Sequence, residues 1–429
     1  MPNSRFVTYG GWMIIVVAVL LGTTTVFSSL TYSRFHDRVQ QLRDTGELTS
    51  MDDLAYEVEN ELDDARFYLE EIVAMDVDFS LIPFDEEGNI KTDAESITLF
   101  EEFEGKHHAV FEKVRLAASA PEMSIKPFDT KLNDFLVVVD RVQQAIEWKA
   151  RTKIARRDGQ AACEAAIDIL RLTGKSEKPF IIDAAQARAF RYQALHILFE
   201  LIEHDLLSEV APETMADVFV LLDEPNLEES NLLGSYTSAL KNERSVAIYH
   251  MLNSNNVFED RYELDQSKLA QLASKIPGGV TVVAGNALLD QMNKAIADSQ
   301  APLTTEFPVD ESADDWNILV AFGGDLSAAF VYYRQRFGEL VAMNRVIRVL
   351  LTLHMTDDAT NRDSWTPDYL ESLGVPTAAT IDPFTGEPMT IKRVDDRWLV
   401  YSVGPDHTDD AGDWQRDLRF GGKDLLEEE

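Results

Sequence analysis

The chain has 429 residues, 45% hydrophobic and 27% charged, which suits two or three folded domains and excludes a disordered or collagen-like protein. Its 75 acidic residues against 39 basic ones give a net charge of -36, which opposes nucleic acid and anionic lipid over most of the exterior. A single cysteine, Cys163, excludes an intramolecular disulfide and a thiolate metal cluster.

No residue from Phe6 to Ser33 is charged, and the run Met13 to Leu21 is strongly apolar. With Tyr9, Trp12 and Tyr32 near its ends, the segment has the length and the interfacial rings of a single membrane span. A cleaved signal peptide ending near Val26-Phe27-Ser28 is the alternative. Arg5 precedes the segment and Arg34, Arg38 and Arg43 follow it, so charge alone leaves the orientation open; an N-terminal apolar segment favours an exported body. The sequence divides into a tail at 1–8, an anchor at 9–33, a helical body at 47–298, a linker at 299–322, a long helix at 323–363 and a C-terminal module at 364–429.

Ser50 and Asp53 form a capping pattern, and Leu54, Val58, Leu62, Ala65, Leu69 and Ile72 then recur at steps of four and three, which predicts one long amphipathic helix with an acidic outer face. Residues 76–94 carry Pro83, Gly88 and three consecutive acids and read as a loop. Phe100, Phe103, His107, Val110, Val114 and Ala117 share a helical face that ends at Ala120-Pro121; Leu132 to Ile146 continue the pattern up to Asp158-Gly159. His107 and His108 point about 100° apart on a helix and cannot share one metal.

Four further helices are predicted at 159–172, 183–207, 213–222 and 227–252, separated by Gly174, Pro179, Pro212 and Pro225. They carry no sustained repeat, so an irregular antiparallel array is expected. Cys163 sits in a small-residue helical run and reads as a packed thiol. His196, Glu200, Glu203 and His204 share one helix, but the H-E-x-x-H arrangement is absent, and they read as helix-surface groups. Val280 to Val283 between glycines resembles a strand and turn, a helix start being the alternative, and it lacks any phosphate-loop pattern. Residues 299–315 read as a linker or exposed loop. The helix at about 325–354 carries Arg334, Arg336, Arg345 and Arg348, which are expected to neutralise acidic neighbours.

Trp365 to Leu373 form a short helix stopped by Gly374. Asp382-Pro383-Phe384-Thr385-Gly386-Glu387-Pro388 is a turn, followed by a hairpin from Met389–Val394 and Arg397–Val403. Tyr401-Ser402-Val403-Gly404-Pro405-Asp406 leads into Asp409, Asp410 and Asp413, four carboxylates that repel one another unless solvated or bridged by a cation.

This ending resembles the C-terminal hairpin and calcium loop of the type II secretion major pseudopilins, with their D-P-[WF]-G-x-P turn and Y-S-x-G-x-D exit. From about Lys149 the chain is also similar to membrane-anchored helical proteins of planctomycete-type bacteria, through the D-G-x-A-x-x-A-x-x-x-L pattern at Asp158 to Leu170 and the same two C-terminal motifs. The pseudopilin resemblance implies a calcium ion held, by position, at Asp406, Asp409, Asp410 and Asp413; the alternative is a solvated acidic loop. Pseudopilins also carry a glutamate five residues into the mature chain. Here Gly10-Gly11-Trp12 is followed by apolar residues, so the resemblance stops at the C-terminal module.

The expectation is a mainly α fold: an N-terminal transmembrane helix, an irregular helical array and a small β-hairpin module. It carries no zincin, kinase or G-x-S-x-G signature. The function this suggests is a membrane-anchored, extracytoplasmic, non-enzymatic interaction or envelope-structural component, with the membrane and a further protein as partners and no nucleic acid or identified small-molecule substrate. An anchored or secreted hydrolase with its site in a groove of the helical body is the alternative.

Overall fold

The computed structural model describes residues 33–47, 57–75, 77–86, 88–124, 132–176, 181–223, 234, 236–245, 248, 279–305, 327–356, 365–394, 397–413 and 416–420. The expected membrane segment, except its last residue, lies outside them, as do residues 306–322 of the linker and much of the helix expected at 227–252. Among the described residues no helix is long and apolar enough to cross a membrane. These residues are mainly helical, with one three-stranded antiparallel sheet. Two units divide the chain: one comprises Met1–Asp53, Leu240–Asp298 and Val309–Phe330, the other Leu54–Ala239, Ser299–Pro308 and Val331–Glu429.

The larger unit begins with α1 (Ala65–Val73), much shorter than the periodicity predicts. Asp64 is the reason. It is extended at φ -100° and ψ 111°, and its carboxylate accepts from Arg66 N at 2.9 Å and from Ser124 N and Oγ at 2.9 and 2.5 Å. The cap starts the helix at Ala65, whose amide is engaged by the Glu122 carbonyl, and Leu62, which the periodicity placed in the core, is 64% exposed. The predicted single helix after residue 94 is two, α2 (Ala94–Lys106) and α3 (His108–Ser119), because His107 leaves helical geometry at φ -116° and ψ 31°. The break lets Phe100, Phe103 and Trp148 close a separate aromatic cluster, with Phe100 and Trp148 centroids 5.1 Å apart.

Helices α4 (Leu132–Ala155), α5 (Gly159–Ser176), α6 (Ile181–Glu203) and α7 (Pro212–Asp223) follow. Pro212 opens α7 as its first residue, where its missing N–H costs nothing, and Gly174 lies inside α5 instead of ending it. Helix α5 is the hub, packing on α3, α4, α6 and α7. Its face of Ala162, Cys163, Ala165 and Ala166 is fully buried, and these small side chains let neighbouring backbones come close. At its first residue the approach is closest: a Cβ on Gly159 would lie 2.6 Å from the Leu206 carbonyl oxygen.

In the smaller unit, helical residues 33–44 and α8 (Gly279–Ser299) are described together with part of the helix expected at 227–252. Phe35, Val39, Ile248 and Leu289 form its core, while Arg38 reaches Asp290 at 2.7 Å and Arg244 engages Glu47 and Asn293. Val280 to Val283 belong to helix α8, not to a strand. Leu289, Met292 and Ile296 are buried at helical spacing further along it, and that packing overrides the β-preference of the valines.

Helix α9 (Ser327–Met355) supplies the longest apolar stripe of the larger unit's core, from Leu340 to Leu353. Arg348 pairs with Asp223 at 2.7 Å, Arg336 pairs with Glu339 on its own helix, and Arg334 and Arg345 donate to backbone carbonyls. Two of those carbonyls, of Ala301 and Pro302, belong to the stretch expected as an exposed loop; Leu303 there is fully buried. Helix α10 (Pro367–Ser372) is capped by Thr366 and ends at Gly374 with φ +85°, as its sequence predicts. The sheet then runs in the order β1 (Thr390–Val394), β2 (Arg397–Ser402), β3 (Leu418–Arg419), with Ile391 opposite Val400 and Tyr401 opposite Arg419.

Candidate functional site

The two C-terminal motifs that stand apart in the sequence meet at one buried carboxylate. Asp382 accepts from Phe384 N through Oδ1 and from Val403 N through Oδ2, both at 2.8 Å, so the first residue of the turn holds the exit of the hairpin 21 residues later. The turn closes on itself through Asp382 N to the Glu387 carbonyl at 2.7 Å and Gly386 N to the Asp382 carbonyl at 2.9 Å, with Gly386 at φ +74°. Asp382 is 2% exposed, and its satisfied oxygens are what make burial of that charge tolerable.

Three of the four acidic residues of the expected calcium loop have side-chain hydrogen bonds to separate partners. Asp406 accepts from Thr408 N at 3.0 Å. Asp409 Oδ1 accepts from Tyr401 Oη at 2.9 Å and from Ala411 N at 2.8 Å, and Asp410 Oδ1 accepts from Arg416 at 3.0 Å. Asp413 gives its backbone carbonyl to Arg416 N and Asp417 N. Among the described residues no three His, Cys, Asp or Glu side chains gather to hold a metal.

The carboxylate that orders the loop is Asp417, which the sequence reading missed. It is buried, accepts from Gly412 N at 2.6 Å and Asp410 N at 3.4 Å, and burial lifts its pKa above the usual carboxylate range against the pull of those amides. The available signal was Gly412, which sits at φ +89° where a Cβ would come within 3.0 Å of Leu399 and 3.3 Å of Tyr401. Tyr401 itself is pushed up to about 12, first by burial and also by its bond to Asp409.

The module is fixed to the helices by both packing and polar bonds. Phe384 packs where α9 has Gly338, whose Cβ would meet Leu303 at 2.8 Å and Phe384 at 3.0 Å. Phe420, 3% exposed, stacks on Phe199 at 5.5 Å and meets the His196 edge at 5.2 Å on α6. Arg345 donates to the Ile381 carbonyl and Arg348 to the Gly374 carbonyl, both at 2.8 Å.

On the helical body, Arg151 joins Glu147 at 2.9 Å to Glu200 at 2.6 Å. Glu200 is therefore an ion-pair partner, and the histidine and glutamates of its helix do not assemble a ligand set. Burial, helped by the Arg151 charge, lowers His196 to about 4, so it is neutral at pH 7. Burial raises Cys163 to about 12, which removes the thiolate that nucleophilic chemistry needs. Comparison with known protein families, curated proteins and solved structures finds no match for this chain.

Proposed function

We propose that this chain is a membrane-anchored, extracytoplasmic structural or interaction component whose helical body is closed by a pseudopilin-like C-terminal cap. The single observation that carries the reading is the joint at Asp382. One buried carboxylate binds turn to hairpin, and Phe384, Phe420, Arg345 and Arg348 fasten that assembly to α6 and α9. Such a joint suits a part that must hold its shape while presenting a surface, and His196, Cys163 and Glu200 of the body are taken up by packing or an ion pair. The anchor rests on the uncharged stretch from Phe6 to Ser33, and the acidic exterior favours a cationic or neutral partner.

Protease access to a C-terminal tag tests the topology. In spheroplasts the tag is expected to be cleaved without lysis and to remain in the membrane fraction until then. A tag protected until lysis overturns the exported reading, and a tag recovered wholly in the soluble fraction overturns the anchor.

A further inference from the structure

Phe420 directly follows β3 and is buried against α6. Its ring stacks on Phe199 at 5.5 Å and on Tyr192 at 6.3 Å and meets His196 edge to face at 5.2 Å; Tyr192 and His196 are themselves 4.7 Å apart. The three α6 residues follow one another at steps of four and three, so they form a single stripe with His196 in its middle. Phe384, Arg345 and Arg348 fasten the turn and the end of α10 to the helices, whereas β3 has only two pairings on β2, Tyr401 with Arg419 and Ser402 with Leu418. The carboxylate one turn beyond His196 is already engaged: Glu200 accepts from Arg151 of α4 at 2.6 Å, and the same guanidinium holds Glu147 at 2.9 Å. On the strand's side, the charge of Arg419 is set against Asp413 and Asp417.

We propose that His196 and Phe420 form a proton-operated latch, in which a proton on His196 frees β3 and Phe420 from α6 while β1 and β2 stay docked. An imidazolium held against Tyr192 and Phe420 loses water on those sides, lies near the Arg151 guanidinium and finds Glu200 taken. Withdrawal of Phe420 returns water to the ring, so the open form accepts the proton more readily, and by linkage acid favours the open form. In the closed form burial and the Arg151 charge hold His196 down at about 4, against an ordinary 6.5. Closure is therefore at full strength above pH 6.5 and weakens as pH falls towards 4, and between pH 7 and 5.5 the open fraction should rise roughly eightfold. Asp417, raised by burial, acts in the opposite sense, since acid favours its buried form. The latch concerns the last strand alone and does not rest on the proposed anchoring; its opening uncovers the aromatic stripe of α6.

Hydrogen exchange of the full chain at pH 7 and 5.5, corrected for the intrinsic rate at each pH, tests the latch. The segment holding Leu418, Arg419 and Phe420 is expected to lose protection about eightfold at pH 5.5, with Leu399 to Tyr401 of β2 and Leu195 to Leu198 of α6 unchanged. His196→Phe keeps a ring that cannot take a proton and is expected to remove the response. His196→Gln, neutral and polar, is expected to remove it as well and serves where the Phe variant does not fold. The His196 ring, followed by NMR in the same chain, is expected to titrate well below 6.5. Unchanged protection of β3, a loss shared by β2 or α6, the same loss in a folded His196 variant, or a ring that titrates at 6.5 or above would each overturn the latch.

Discussion

The α5 hub and the C-terminal cap hold themselves together by opposite means. Around α5 the contacts are apolar and close, with Ala162, Cys163, Ala165 and Ala166 buried on one face and Gly159 against the Leu206 carbonyl. In the cap, ordered backbone amides converge on Asp382 and Asp417, and arginines from α9 reach in to take carbonyls. Apolar packing tolerates changes in pH and salt but not in volume, whereas a carboxylate-centred joint tolerates volume and depends on each bond being made. The two regions can therefore be broken by different kinds of change.

The largest effect is expected at the joint. Arg348 is buried and joins Asp223, Thr352 and the Gly374 carbonyl, so Arg348→Ala leaves several groups unpaired and should cost about 3–5 kcal/mol in urea unfolding. In the hub the corresponding change is steric. Gly159→Ala would gain about 1 kcal/mol of helix propensity, but its Cβ meets a backbone carbonyl that cannot move aside, and a net loss of about 1–3 kcal/mol is expected.

A smaller effect of opposite sign is expected from Asp168 on α5. Burial raises it to about 6 against the pull of Lys149, Arg171 and Arg115. Its folded pKa lies above the unfolded value, so the folded chain binds more protons between about pH 4 and 6 and this residue's contribution to stability is lost as pH rises through that window. Asp168→Asn should therefore stabilise at pH 7 by about 1–2 kcal/mol and have no effect near pH 4. The difference between wild type and variant isolates this slope from that of His196, which runs the other way: lowered to about 4, it weakens the fold as pH falls below 6.5. Smallest of all should be calcium. With Asp406, Asp409 and Asp410 bonded to separate partners, millimolar calcium is expected to leave Tm unchanged, and a saturable rise would support the calcium loop that the sequence resemblance implies.

What the sequence made legible follows the same division. Turn chemistry is local, so Gly374, Gly386 and the strands β1 and β2 stand where glycine, proline and alternation predict them. The helices α4, α5, α7 and α9 were readable from apolar spacing, since each carries a long unbroken stripe. Between residues 50 and 119 spacing misled, because a periodic pattern says nothing about where the chain stops obeying it. Asp64 ends the extended stretch by bonding Ser124, 60 residues away, and His107 breaks a helix whose apolar face continues on both sides. In the acidic loop, charge clustering was visible, but the burial of Asp417 depended on its folding back onto Gly412.

The central claim is that the cap is part of the body and not an appendage, and native-state hydrogen exchange tests it most directly. The amides of Leu399, Val400 and Tyr401 in β2 should open with the same free energy as those of Leu195, Ile197 and Leu198 in α6, because the cap is released only when the helices unfold. Cap amides that exchange through a separate opening of distinctly lower free energy, with α6 still protected, would contradict it.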